Sequence, residues 1–103
     1  MSESVDVVLE GDSMWPTFSS GDVLGFHLNP TQESLNVDDV LLLKHPLNPT
    51  VLMVKRLIRI EADGRLFVEG DQRDPTASQD SHNFGTLQPD HVLGVWNGDV
   101  KRA

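Results

Sequence analysis

The chain has 103 residues, enough for one small domain with its own core and too few for two, so we expect residues 1–103 to form a single domain. It contains no cysteine, which excludes disulfides, thiolate nucleophiles and cysteine-ligated zinc. The formal net charge of −8 opposes binding to phosphate backbones, so we expect no nucleic-acid partner.

The N-terminal residues carry acids rather than a basic region, and no apolar stretch approaches the roughly 18 to 20 residues that span a bilayer. We therefore expect no membrane span and a cytoplasmic location. The alternative is a membrane-associated protein from which an anchor has been removed.

Short apolar runs separated by turn residues predict an all-β domain of twisted, coiled antiparallel sheets with little helix. A small barrel-like sandwich is the alternative from pattern alone. Polar residues rich in proline, glycine, serine and aspartate predict loops at 29–39 and 71–88. A hairpin turn is expected at Asp63-Gly64. The predicted strands are residues 5–8, 23–26, 40–43, 51–60, 65–68 and 92–96.

The segment 11–17 places a hydroxyl, that of Ser13, in a turn with constrained geometry. Gly11 frees the backbone before Ser13, and Pro16 fixes φ after it. Such a turn can direct backbone N–H groups towards an oxyanion. Ser13 is therefore a candidate nucleophile, although the same residues are also typical of an ordinary loop between strands.

Lys55 lies in the middle of the longest apolar run, on the strand face that Val51, Met53 and Leu57 share. Burial there would disfavour the ammonium and lower the pKa of the amine, which would let Lys55 act as a general base for a serine. The alternative is a lysine that extends from a strand edge into solvent. The neighbouring Arg56 stays charged and so cannot be the base.

The segments 11–17, 55–56 and 70–85 resemble, in order, the sequence boxes of the type I signal peptidases, which are serine/lysine proteases. The likeness extends from about Val8 to Trp96. The small size, and the stretch 44–47 running shortly into 54–56, are most similar to the nickel-type superoxide dismutase maturation proteases. The resemblance implies a coiled-sheet fold that agrees with the predicted strands.

The resemblance also implies site roles. Ser13 would be the nucleophile and would donate its N–H to the oxyanion, while Lys55 would be the general base. The hydroxyl of Ser78 would orient the lysine, with Thr76 as a substitute. Structural support is implied for three charged residues, namely Arg56 paired with Asp71, and Asp80.

Three positions depart from the family pattern. Gln72 stands where the family has asparagine, and His82 stands where it has arginine. Gly11 lacks the hydroxyl that some relatives place two residues before the nucleophile, so backbone donors must serve there. Met14 and Trp15 are expected to pack as core or to form a wall of the substrate cleft.

The expected substrate is a protein precursor bound as an extended peptide, from which an N-terminal propeptide is removed. The resemblance indicates nickel-type superoxide dismutase as that precursor. No cofactor and no catalytic metal are expected, because the four histidines form no close-spaced ligand motif. A Ser/His/Asp triad is not excluded by spacing.

The sequence is also compatible with other functions. One is a signal peptidase I catalytic domain that lacks its membrane anchor. Another is a regulatory domain resembling the self-cleaving repressors, although no DNA-binding segment is present. The last is a non-enzymatic domain that binds peptides at its strand edges, and it would be favoured if Ser13 and Lys55 lay far apart.

Overall fold

Antiparallel strands make up most of the computed structural model, which describes residues 3–74 and 79–103. The strands pair in the order β1-β2-β6-β3-β4-β5 within one sheet, which confirms the predicted all-β class. The described helical segments are α1 and two short 3-10 turns, Gln32–Ser34 and Pro89–His91. The elements are β1 (Ser4–Val8), β2 (Val23–Leu28), β3 (Val40–Lys44), β4 (Leu52–Ile60), β5 (Leu66–Glu69), α1 (Ser81–Phe84) and β6 (Val92–Lys101).

Strand β6 differs most from its prediction. It continues to Lys101 instead of ending at Trp96, and it lies between β2 and β3 in the sheet. The polar sequence after Trp96 is typical of a loop, but pairing of Val100 and Lys101 with β2 keeps it extended. Tertiary pairing thus overrides local composition here.

Strand β3 explains why a continuous apolar run forms a strand. Its neighbours are β4 and β6, so it is central, and its side chains alternate between the two faces of the sheet. Val40 and Leu42 belong to one apolar cluster, and Leu41 and Leu43 to another. The sheet therefore has a core on each face, which a strand buried on both sides requires.

The β4–β5 hairpin forms at Asp63-Gly64 as predicted. Gly64 has φ +88°, a conformation that suits glycine, and Arg65 N–H donates to the Asp63 carboxylate at 3.0 Å. Strand β5 pairs with β4 only from Arg56 to Ile60. The first part of β4, residues 52–55, therefore extends past the end of β5.

In the described ranges, the helical segments are all too short to cross a lipid bilayer.

Candidate active site

One groove brings together the two segments singled out in the sequence. It has a volume of about 470 Å³ and runs between the end of β1 with its following turn and the first part of β4. Ser13 and Lys55 both line it. The lining consists of residues 7–13, residues 51–55 and Leu42. The structure thus places the candidate nucleophile and the candidate base on the walls of the same groove.

Packing fixes the turn that carries Ser13. Met14 and Phe18 are almost fully buried in the apolar cluster on one face of the sheet. The Phe18 N–H donates to the Met14 carbonyl at 2.9 Å, and this hydrogen-bonded turn brings both side chains to the same apolar cluster. Gly11 enters the turn with φ +79°. Ser13 is left half-buried at the groove.

The loop around this turn is closed at its base. Leu9 N–H donates to the Asp22 carbonyl at 2.8 Å, and Gly21 N–H donates to the Leu9 carbonyl at 2.7 Å. The buried Asp22 carboxylate accepts from the N–H groups of Ser19 and Ala103, and these bonds hold the pKa of Asp22 below its usual range. The residues next to Asp22 in the sequence do not indicate that it is buried.

Lys55 lies in the middle of β4, as predicted, and pairs with Leu41 of β3. Only 3% of the residue is exposed. This burial lowers the pKa of Lys55 below the usual lysine value, while the negative charge of Asp80 acts in the opposite direction. The net lowering favours the neutral amine that a general base needs.

Asp80 caps the single-turn helix α1. Its carboxylate accepts from His82 N–H at 2.9 Å, and its own N–H donates to the Asn83 side chain at 3.0 Å. The Ser81 hydroxyl accepts from Val68 N–H at 2.9 Å, which attaches the helix to β5. The cap therefore holds a carboxylate where its charge acts on Lys55. The predicted Ser78, and its alternative Thr76, lie outside the described residues.

Arg56 and Asp71 form the ion pair that the resemblance implied. Arg56 Nε lies 2.9 Å from Asp71 Oδ1, and Arg56 Nη2 lies 2.8 Å from Asp71 Oδ2, so the contact is bidentate. Arg56 Nη1 also donates to the Asp38 carbonyl at 2.7 Å. Burial raises the pKa of Asp71, but hydrogen bonds from Arg56 and Thr17 and the arginine charge outweigh this, so the pKa lies below its usual value.

Thr17 is a site residue that sequence reasoning missed. Its hydroxyl donates to Asp71 Oδ2 at 2.6 Å, across 54 positions of the chain. Gln72 N–H donates to the Ser13 carbonyl at 2.9 Å. The loop after β5 therefore contacts both ends of the Ser13 turn. Thr17 belongs to the motif that drew attention to Ser13, but only the fold brings Asp71 to it.

Met14 and Trp15, expected to pack as core or to form a wall of the substrate cleft, have different places, and neither lines the groove. Met14 is 0% exposed and packs in the core together with Phe18, as one of the two expectations had it. For Trp15 both expectations are wrong, because it is 51% exposed and lies outside the groove. Apolar groove walls come instead from Val8 and Leu52, which are both exposed.

Residues 3–74 and 79–103 contain no group of three or more potential metal-ligating side chains close enough to hold an ion. His82, the histidine nearest to Asp80, is engaged with acids: Nδ1 lies 3.0 Å from Asp80 Oδ1, and Nε2 lies 3.2 Å from Glu69 Oε1. Its contacts are with carboxylates rather than with Ser13, so they offer no sign of a Ser/His/Asp triad.

Comparison with models of known protein families found no match. Comparison with curated proteins likewise found none.

Proposed function

We propose that the chain is a serine endopeptidase in which Ser13 is the nucleophile and Lys55 the general base. The observation that carries this proposal is the groove lined by both residues, in which burial lowers the pKa of the lysine. A serine hydroxyl is a weak nucleophile until a neighbouring base removes its proton. A lysine serves as that base only when it is neutral, and burial favours the neutral form.

In the proposed reaction, the Lys55 amine accepts the Ser13 proton while Oγ bonds to the carbonyl carbon of the scissile peptide. The oxyanion that forms accepts a hydrogen bond from the Ser13 N–H. The Lys55 ammonium then gives its proton to the leaving amine, and the C–N bond breaks to leave an acyl-enzyme. Lys55 then takes a proton from water, whose oxygen bonds to the ester carbon, and the Lys55 ammonium returns that proton to Ser13 Oγ as the C–Oγ bond breaks and the acid product leaves. The role of Ser78 in orienting the amine stays a prediction.

The borders of the groove suit an extended peptide. Within the described residues, β1 pairs only with β2, and residues 52–55 of β4 extend past β5. Both strands therefore have backbone edges that can pair with an added strand, and both edges border the groove. The exposed side chains of Val8 and Leu52 add apolar walls. We propose that the substrate binds between these edges with apolar side chains directed towards the walls.

The resemblance to the signal peptidases supplies the proposed substrate. Its narrower likeness to the nickel-type superoxide dismutase maturation proteases suggests removal of an N-terminal propeptide from the dismutase precursor. On this proposal nickel belongs to the product and not to the peptidase. A cytoplasmic location, where such a precursor is made, is part of the same proposal.

The test is to incubate the purified protein with a nickel-type superoxide dismutase precursor and to measure the product masses. We expect conversion to the mature length by the wild type and none by Ser13→Ala. Ser34→Ala is the matched control, because Ser34 is an exposed serine whose hydroxyl bonds to the Thr31 carbonyl, away from the groove. An intact precursor would contradict the substrate assignment. Cleavage of a membrane-derived signal peptide instead would favour the general signal-peptidase alternative.

A further inference from the structure

We propose that Thr17 is a positioning residue, whose hydroxyl holds the Ser13 turn against the strand that carries Lys55. This inference rests on the proposed function, since it concerns how the nucleophile and the base are kept in register. It is carried by a separate set of contacts, which join the turn to the Arg56–Asp71 pair.

The first contact is the hydrogen bond from Thr17 Oγ1 to Asp71 Oδ2, at 2.6 Å. A bond from a hydroxyl to an ionised carboxylate at this distance belongs to the strong, charge-assisted class. Both oxygens of the same carboxylate accept from Arg56, which directly follows Lys55 in β4. Asp71 therefore links the Ser13 turn to strand β4.

The second contact is the hydrogen bond from Gln72 N–H to the Ser13 carbonyl, at 2.9 Å. Asp71 and Gln72 are consecutive, so one short piece of chain contacts both Ser13 and Thr17. With one of these contacts broken, the turn would keep its core packing but would lose part of its link to β4. With both intact, its orientation relative to β4 is fixed.

A third contact supports the end of the turn from another side. Arg102 Nη1 donates to the Thr17 carbonyl at 2.9 Å and to Asp22 Oδ2 at 3.1 Å. The Thr17 backbone is thus held whatever its side chain does. Loss of the hydroxyl alone should therefore release the link to Asp71 without unfolding the loop.

The expected consequence is for the chemical step rather than for binding. The Thr17 hydroxyl bonds to Asp71, and neither residue lines the groove. Its loss should therefore leave groove walls such as Val8 and Leu52 in place. A displacement of about 1 Å between reacting groups can lower a rate by about a hundredfold. Removing the hydroxyl should therefore lower kcat and leave KM nearly unchanged.

The test compares Thr17→Val, which keeps the shape and removes the hydroxyl, with Thr17→Ser, which keeps the hydroxyl. We expect kcat for precursor cleavage to fall by about ten- to a hundredfold in Thr17→Val, with KM changed by less than about threefold. Thr17→Ser should restore most of the rate. Thr31→Val is the matched control, because Thr31 is exposed and its side chain makes no capping hydrogen bond. A normal kcat in Thr17→Val, or equal loss in Thr17→Ser, would overturn the proposal.

A second readout needs no peptidase activity. Hydrogen exchange at the Gln72 amide, followed by NMR, reports the bond to the Ser13 carbonyl. We expect faster exchange in Thr17→Val and wild-type exchange in Thr17→Ser and Thr31→Val. Unchanged exchange in Thr17→Val would overturn the positioning role even in an active enzyme. Altered exchange in a chain that cleaves nothing would instead reject the proposed function, and with it a role in catalysis, while confirming the contact.

Discussion

Ser13 and Lys55 line the same groove, and packing positions both, but the groups around them differ. The Ser13 turn is anchored mainly by apolar packing, because Met14 and Phe18 insert into the core. The Lys55 strand also packs into the core, through Leu57, but charged groups lie beside it, namely the Arg56–Asp71 pair and Asp80, whose charge acts on the amine. Burial lowers the pKa of Lys55 and the Asp80 charge opposes that lowering, so the surroundings of Lys55 affect its protonation as well as its position. The comparison teaches that packing gives the turn its position, whereas at Lys55 burial also favours the neutral amine.

The two parts also differ in their expected response to solution conditions. Apolar packing is insensitive to the protonation of side chains, but ion pairs weaken when a carboxylate is neutralised. Thr17 joins the two regions, since its backbone belongs to the packed turn and its hydroxyl contacts the Asp71 carboxylate. Substitutions on each side should therefore have effects that can be told apart.

The largest expected effect comes from replacing the base. In Lys55→Arg the charge is kept but no proton can be accepted near neutral pH, so precursor cleavage should fall by about 10²- to 10⁴-fold. Lys55→Met removes the amine without adding a charge to this buried position, and should lose the same activity. Circular dichroism checks that each variant is folded. Retained cleavage in either folded variant would contradict the dyad.

The next largest effect should distinguish a buried residue of the Ser13 turn from its exposed neighbour. Met14→Ala leaves a cavity at a fully buried position, so the free energy of unfolding should fall by about 2–5 kcal/mol. Trp15→Ala, at the neighbouring exposed residue, should change it by less than about 1 kcal/mol. Urea denaturation measures both. Equal losses in the two variants would show that packing does not anchor the turn as described.

A smaller effect on the free energy of unfolding is expected for the Arg56–Asp71 ion pair. Asp71→Asn removes the carboxylate charge that Arg56 and Thr17 contact but keeps the shape and one oxygen acceptor, so the loss should be about 1.5–3 kcal/mol, the value of one hydrogen bond to a charged group. The lowered pKa means that ionised Asp71 stabilises the fold above its unfolded pKa of about 3.9, and that this stability is lost as the pH falls through the lower folded pKa.

The difference in the free energy of unfolding between wild type and Asp71→Asn should therefore have its full value at pH 7 and decrease below about pH 4. Urea denaturation at a series of pH values measures it. A difference that stays constant down to pH 2 would contradict the assigned ion pair.

The smallest expected effect is a shift in the pH dependence of cleavage. Activity should rise with pH as Lys55 loses its proton. The Asp80 charge raises the pKa of Lys55, so Asp80→Asn should move this rise to lower pH. Asparagine caps a helix about as well as aspartate, which makes the variant a fair test of charge alone. The kcat/KM profile measures the shift, and movement to higher pH would contradict the account.

Much of the fold could be predicted from the sequence, because apolar runs between turn residues reveal strands. The central position of β6 could not, since its partner β2 is distant in the chain and its last residues are polar. The placement of Lys55 in β4 and the pairing of Arg56 with Asp71 agree with the sequence-based expectations. The role of Thr17 was hidden because a threonine in a turn carries no sign of a partner 54 residues away.

The groove walls could not be predicted from the sequence. Met14 and Trp15 were expected to be core or cleft residues because they are adjacent to Ser13, but Met14 packs in the core and Trp15 lies outside the groove. The exposure of Leu52 could not be predicted, because an apolar residue at the start of an apolar strand is expected to be buried. Its exposure follows from the way β4 extends beyond β5.

The most direct test of the central claim is the titration of Lys55 itself, which needs no substrate. The chain has three lysines, so NMR of ¹³C-labelled lysine side chains gives few signals, and Lys55→Met identifies the one from Lys55. The account predicts that Lys55 titrates below the value of about 10.4 usual for lysine, which increases the share of neutral amine at any given pH. A midpoint at or above that value would leave Ser13 without its base and contradict the account.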